Sequence, residues 1–413
     1  MNIIITRTLV SLFALFILTF CTEIIEDVGV NTPGVLNIVP VEGTAEPAES
    51  LKLLINGIYE AYNPQLGTTQ YAAVRWNGKI LNLFMERNNT TYALKGGIRN
   101  DSLIFSGFST DGKRRVILGA EFKSSGEMNS SLKNGKQVFN ISLVSKGGKS
   151  FDRIILTFKK KLSIDLNSFT IFAHASGGPE GGYSYNSLSG IKFAALTGAN
   201  GIEFDLNVSK DKIPFIFHDE SFDRENVQSD FLVGPVDRYN IEDIKLLGYL
   251  PDGTRIPTLD EALNSVLINT TINSIWLDVK NPASLAPSFP VIEKYIAKAQ
   301  TEGRILNIYI GIPDNGVLNE YKTLAPAGRH KVLTELSTAV VNELNADAWG
   351  PQFNGDYYSA ESISIVKGEG KKVFLWTIDD PEFFKTNTGS LCPDGIITNA
   401  SQKMIYEYLI QNK

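Results

Sequence analysis

Two hydrophobic rhythms divide the chain. Between about residues 50 and 162, apolar and polar positions alternate in short runs, as in "SLIFSGFS" (102–109), "RRVILGAEF" (114–122), "QVFNISLV" (137–144) and "RIILTF" (153–158). A period of two belongs to strands with one buried face. Three Asx-Gly pairs, Asn77-Gly78, Asp111-Gly112 and Asn134-Gly135, sit between such runs and read as tight hairpin turns. The expectation over 50–162 is a small antiparallel all-β domain, a sandwich or a barrel. No catalytic constellation stands out in it, and its aromatic residues read as core.

From residue 165 to 413 the rhythm changes. Short apolar runs alternate with helix-like segments: "TIFAHA" (170–175) precedes "NSLSGIKFAALTGA", "SIWLDVK" (274–280) precedes "FPVIEKYIAKAQTEG", and "ILNIYIGI" (305–312) precedes "GVLNEYKTL". "GIEFDL" (201–206), "PFIFHD" (214–219), "KVLTELS" (331–337), "ADAWGPQF" (346–353), "KVFLWTI" (372–378) and "DGIITN" (394–399) complete the set. Alternating β and α over this length predicts an α/β fold, a (β/α)8 TIM barrel. These are nine strand-like runs where eight are needed, so either "KVLTELS" or "ADAWGPQF" is expected to be a loop or an accessory strand. A doubly wound sheet would use similar runs, but no Gly-rich phosphate loop follows the first of them.

The ends of these runs carry the chemistry. His174 ends the first, Glu203 and Asp205 the second, His218 the third, Asp278 and Lys280 the fourth, and Trp376 with Thr377 the eighth. In such a barrel the reacting groups gather at the C-terminal rim of the strands. Spacing i, i+2 puts Glu203 and Asp205 on one face of a strand and Ile202, Phe204 and Leu206 on the other. The apolar set belongs against helices, so the carboxylates face the barrel mouth. Side by side they repel, unless one takes a proton or a cation intervenes. Asp278 supplies a third oxygen, and an all-oxygen set suits Mg²⁺ or Ca²⁺ better than zinc. The competing reading is an ion pair with Lys or Arg and no metal.

These residues also carry a resemblance. "HASGG…YNSLSGIKFAALTGANGIEFDLNVSKDKIPFIFHDESFDR" resembles the glycerophosphodiester phosphodiesterase family, whose pattern runs HRG, ENT, an I-E-x-D strand, HD and L-D-R. "RIPTLDEAL", "WLDVK", "FLWTIDD" and "DGIITN" continue it in order to about residue 400, leaving the β domain outside. The resemblance implies a metal-dependent TIM-barrel enzyme that cleaves glycerophosphodiesters to glycerol 3-phosphate and an alcohol. It implies His174 and His218 as catalytic groups, and Glu203, Asp205 and Asp278 as metal ligands. Lys280, Trp376 and Asn186 fall at substrate-binding positions, and Arg224 also matches a family position, although an ion pair is its plainer reading. The chain departs from the pattern at Ala175-Ser176 (Arg-Gly in the family), at Tyr185 (Glu) and at Asn399 (Asp). Losing an Arg fork weakens phosphate binding. Two rivals follow: a phosphodiester- or glycan-binding protein of the same fold without turnover, and a phosphodiesterase of larger lipid headgroups.

Composition narrows the partners. The net charge of −6 argues against a broad nucleic-acid footprint, and the partner the resemblance implies is a small-molecule phosphodiester. The chain has three histidines, and His330 has no strand-end placement. Residues 1–21 read as an export signal: Arg7 precedes an apolar stretch from Leu9 to Phe20, too short to span a bilayer. Cys21 after "LTF" resembles a bacterial lipoprotein signal, which implies lipidation at Cys21 and a membrane-anchored protein of the cell envelope. Residues 22–49 read as a tether. With Cys21 lipidated, Cys392 is the sole remaining cysteine and no internal disulfide forms.

Overall fold

The computed structural model describes residues 38–86, 90–111, 113–145, 151–162, 166–324, 330–390 and 393–411. The expected export signal, Cys21, most of the expected tether and Cys392 lie outside these residues.

The β-rich half is a closed barrel of eight antiparallel strands, which decides between sandwich and barrel. They are β1 (Gly57–Asn63), β2 (Thr68–Asn77), β3 (Ile80–Met85), β4 (Thr91–Arg99), β5 (Ser102–Ser109), β6 (Arg114–Glu121), β7 (Val138–Ser145) and β8 (Phe151–Lys160). β8 returns to pair with β1. The alternation in β5 turns Leu103 and Phe105 inward, where Tyr59, Leu83, Leu118 and Phe139 also pack. Gly78 takes a left-handed φ of 59° in the β2–β3 turn, as its sequence signal implies. Asn134-Gly135 does something else. It ends a helix, Ser125–Lys133, with Gly135 at φ 63° just past the cap. The same Gly preference serves hairpin turns and helix C-termini, and the apolar pair Met128 and Leu132 buries this helix on the barrel. Residues 38–48 of the expected tether also lie against the protein: Ile38 and Val41 are buried, and Ala45 bridges to Ile98.

The second half is a closed ring of eight parallel strands: β9 (Thr170–Ala173), β10 (Gly201–Val208), β14 (Ser274–Val279), β15 (Asn307–Ile312), β16 (Lys331–Thr334), β17 (Ala348–Trp349), β18 (Lys372–Leu375) and β19 (Gly395–Thr398). Between β10 and β14 come β11 (Pro214–Ile216) and the two-stranded β12 (Ser221–Phe222) and β13 (Gly234–Pro235). Both "KVLTELS" and "ADAWGPQF" supply barrel strands. The surplus run is "PFIFHD": β11 pairs antiparallel with β10 and stands outside the ring. A parallel crossover needs a dozen or more residues, and the short link from Val208 to Pro214 permits only a hairpin. His218 therefore lies on a loop beyond β11 rather than at a barrel strand end.

The two barrels share a core. Ile58, Ala73 and Phe84 of β1–β3 belong to the same buried cluster as Ile191, Ala194 and Ile202. Asn77 and Asn82 donate from their Nδ2 atoms to the carbonyls of Ala195 and Leu196 at 2.9 and 2.7 Å. These carbonyls lie at the C-terminal end of the helix Leu188–Leu196, where Ala195 also accepts from the Gly198 N–H at 3.1 Å, so the β barrel helps to cap the helix that follows the first site loop.

Candidate active site

Glu203 and Asp205 leave β10 on its inner face, while Ile202, Phe204 and Leu206 pack outward against the helices. The parallel register of β10 and β14 sets Asp205 beside Asp278. One oxygen each from Glu203, Asp205 and Asp278 lies within 4.8 Å of the others. Lys280 reaches back over this cluster, its Nζ 2.6 Å from Asp278 Oδ2 and 3.1 Å from Asp205 Oδ1. An ion pair is thus present, but it sets one ammonium against three carboxylates. Burial, followed by the charges of Asp205 and Asp278, pushes the Glu203 carboxyl well above its ordinary range. Asp278 is raised by burial as well, with Lys280 opposing. Burial also disfavours the Lys280 ammonium, yet Asp278 and Asp205 outweigh that and raise it.

Glu203 Oε1 and Asp278 Oδ1 are buried without a hydrogen-bond partner. Other oxygens of the cluster are taken: Glu203 Oε2 accepts from the Ala175 N–H at 2.7 Å, and Asp205 Oδ2 from Asn186 Nδ2 at 2.6 Å. Two orphaned carboxylate oxygens in an excess of negative charge fit a hard divalent cation.

The loop after β9 fixes these contacts. Ala175, Ser176 and Gly177 all have left-handed φ, at 45°, 69° and 71°. That conformation strains Ala and Ser, and it aims the Ala175 N–H at Glu203. Asn186, at φ 56°, also accepts from the Asp205 N–H at 3.1 Å. Its amide thereby orients Asp205, and the residue also borders the pocket that His174 and His218 line. Glu180 in the same loop turns away to the helix Ser401–Ile410 and accepts from Ser401 Oγ and Gln402 N at 2.5 and 3.0 Å. Burial raises its carboxyl to about 7.

The two histidines have different supports. Nδ1 of His174 is 2.7 Å from Asn399 Oδ1. Asn399 is oriented by Asp379, which accepts from its Nδ2 at 2.9 Å and its N–H at 2.7 Å. The amide oxygen therefore faces His174, which makes Nδ1 the protonated nitrogen and leaves Nε2 4.0 Å from Glu203 Oε2. His218 Nδ1 instead meets a carboxylate, Asp219 Oδ1, at 2.7 Å. Burial works against that carboxylate, but hydrogen bonds from His218 and Asn226 hold it below its ordinary value.

Sequence reasoning missed two supports, Asp219 and Asp379, and a further carboxylate near Asp278, Glu335. Glu335 follows β16 directly, and burial, then the charge of Asp278, pushes it well above the usual carboxylate range. The strand-end rule points to it, because "KVLTELS" supplies the barrel strand β16. Trp376 packs over the inner layer of Phe172, Trp276, Tyr309 and Phe374, and its Nε1 donates to the Gly350 carbonyl at 2.7 Å. Arg224 makes an exposed contact with Asp230 at 3.5 Å, and buried His330 meets Glu293 at 3.0 Å, away from the site.

A groove of about 720 Å³ opens from His174 and His218. A second groove, about 810 Å³, lies at the opposite end of the strands between Asn307, Lys331 and Asp347, and no site residue lines it.

The model of the "Glycerophosphoryl diester phosphodiesterase family" matches residues 178–403. A glycerophosphodiester phosphodiesterase of Caldanaerobacter subterraneus subsp. tengcongensis is 27% identical over 236 residues, 53% of this chain and 90% of the relative. One of Bacillus altitudinis is 26% identical over 249 residues, 57% of this chain and 96% of the relative. A solved glycerophosphodiester phosphodiesterase from Parabacteroides distasonis is 18% identical with a TM-score of 0.48, covering 60% of this chain and 99% of that one. The antiparallel barrel precedes the matched residues.

Proposed function

From the premise that the chain belongs to the glycerophosphoryl diester phosphodiesterase family, we propose that it hydrolyses glycerophosphodiesters with His174 as base, His218 as acid and a divalent cation at Glu203, Asp205 and Asp278. The observation that carries this reading is the unequal support of the two histidines beside an over-charged carboxylate cluster. Asp219 offers the negative charge that suits an imidazolium, and so suits a proton donor. Asn399 offers only a neutral acceptor, which orients His174 with its Nε2 lone pair toward the site.

When bound, the cation would neutralise phosphate oxygens and ease the approach of a nucleophile. The protein's own groups do the rest. Lys280 presents a permanent charge to the phosphate where the family's Arg is replaced by Ala175. His174 Nε2 takes the proton of the attacking hydroxyl, and His218 Nε2 gives its proton to the departing alcohol oxygen as that P–O bond breaks. Over the cycle one water is consumed, and glycerol 3-phosphate and the alcohol leave. Water and the adjacent glycerol hydroxyl would both surrender their proton to the same nitrogen.

Phosphorus NMR of the purified chain with sn-glycero-3-phosphocholine and Mg²⁺ or Ca²⁺ tests this. Accumulation of glycerol 3-phosphate, abolished in His218→Ala, is the expected result. Phosphocholine as the product, or an unaltered rate in His218→Ala, overturns it.

A further inference from the structure

We propose that the groove leading away from His174 and His218 receives the leaving alcohol and selects one that carries a positive charge, such as a quaternary or primary ammonium alcohol. This rests on the reading above. Both histidines line the groove, whereas Glu203, Asp205, Asp278 and Lys280 do not. A phosphate placed between the carboxylate cluster and the histidines therefore sends one ester arm toward the cluster and the other into the groove. The arm with vicinal hydroxyls is the one an oxygen-coordinated cation would hold, so the alcohol takes the groove.

The walls of the groove are anionic. Asp219, Glu225 and Asp252 line it, and among the described residues no Lys or Arg does. The charge of Asp252 is fixed in place by neutral donors only: Ser184 N at 2.9 Å, Thr254 N at 3.0 Å and Thr254 Oγ1 at 2.6 Å. Arg224, next in sequence to Glu225, points to Asp230 instead. An alcohol bearing carboxylate or phosphate meets like charge on entry, and one bearing an ammonium meets the carboxylates of Glu225 and Asp252, Asp219 being paired with His218.

Aromatic rings complete the fit. Tyr183, Tyr185 and Phe217 share the groove with Leu250 and Pro251. Tyr183 already packs on Phe193 with ring centroids 5.7 Å apart. Tyr185, in contrast, is 55% exposed and offers a ring at the entrance. Alkylammonium groups bind where aromatic faces and carboxylates converge, because the ring quadrupole and the anions attract the same diffuse charge. Tyr185 stands where the family pattern has Glu, so this ring belongs to the chain's own departure.

The test compares kcat/KM for three substrates with the same glycerophosphoryl half: sn-glycero-3-phosphocholine, glycerophosphoglycerol and glycerophosphoserine. The expected order is choline first by about tenfold over glycerol, the size of a favourable cation–aromatic contact, with serine last. Glu225→Lys should shrink the choline-to-serine ratio, and Tyr185→Ala should shrink choline-to-glycerol. Independently of turnover, phosphocholine should saturate a tyrosine-fluorescence titration of wild type and bind more weakly to both variants. Equal kcat/KM across the three, with ratios unmoved by Glu225→Lys, overturns the subsite and leaves hydrolysis standing. Failure to cleave any of the three overturns the function instead, and the phosphocholine titration then decides the subsite alone.

Discussion

Neutralising Glu203 should make the metal-free protein more stable while destroying its activity. Glu203 is 2% exposed and its ligand oxygen lies within 4.8 Å of those of two other carboxylates. At an effective dielectric near 20, each such repulsion is roughly 3 kcal/mol, and Lys280 offsets about one of the two. Glu203→Gln keeps the acceptor for the Ala175 N–H and removes the charge, so a net gain of about 3 kcal/mol is expected. For a domain of this size that is roughly 6–12 °C in unfolding temperature. The sign depends on pH. A folded carboxyl raised above its unfolded value binds its proton more tightly in the native state, so wild-type stability falls as pH rises above about 4.5. The advantage of Glu203→Gln should therefore be absent near pH 4 and grow toward neutrality. Differential scanning fluorimetry in EDTA across pH 4–8, then with Mg²⁺ or Ca²⁺ added, reads this directly. Wild type should gain stability from the ion by mass action and Glu203→Gln should not. A lower unfolding temperature for Glu203→Gln in EDTA at pH 7, or an undiminished ion-induced shift, refutes the view that this cluster is charged in excess for a cation.

Lys280→Ala should cost about 2–4 kcal/mol of transition-state stabilisation, seen as a fall in kcat/KM with the far-UV spectrum unchanged. His174→Ala and His218→Ala should each lower kcat by about 10²–10⁴-fold, measured as glycerol 3-phosphate release. Asn186→Ala frees Asp205 from both of its amide contacts and should weaken Ca²⁺ or Mg²⁺ binding about 10–100-fold by calorimetry. Cys21→Ser should move the full chain from the membrane to the soluble fraction after expression in a lipoprotein-processing bacterium, and equal partitioning of both forms would remove the proposed anchor.

Much of the site could be read from periodicity. The i, i+2 pair in "GIEFDL" and the acid in "SIWLDVK" could be placed at one rim because strands alternate and barrels gather strand ends, and the β10–β14 register puts Asp205 and Asp278 side by side. What periodicity could not give was order in the third dimension. "PFIFHD" looks like any other buried strand, and only the shortness of its link to β10 betrays a hairpin. Asn-Gly at 134–135 is equally at home after a helix, since the local φ requirement is the same. Asn186 and Asp379 act through other side chains, and no residue spacing announces a hydrogen bond to Asp205 across 19 positions or to Asn399 across 20. The strained backbone at Ala175 and Ser176 is likewise invisible in residue type, because both would be expected to avoid left-handed φ.

The most direct test of the account is a metal add-back. The chelator-stripped chain is assayed for glycerol 3-phosphate release from sn-glycero-3-phosphocholine, with wild type and Glu203→Gln/Asp205→Asn run side by side as Mg²⁺ or Ca²⁺ is titrated in. Restoration in wild type alone, saturating with the ion, is the predicted result. Full activity of the stripped wild type, or equal restoration in the double variant, would contradict it.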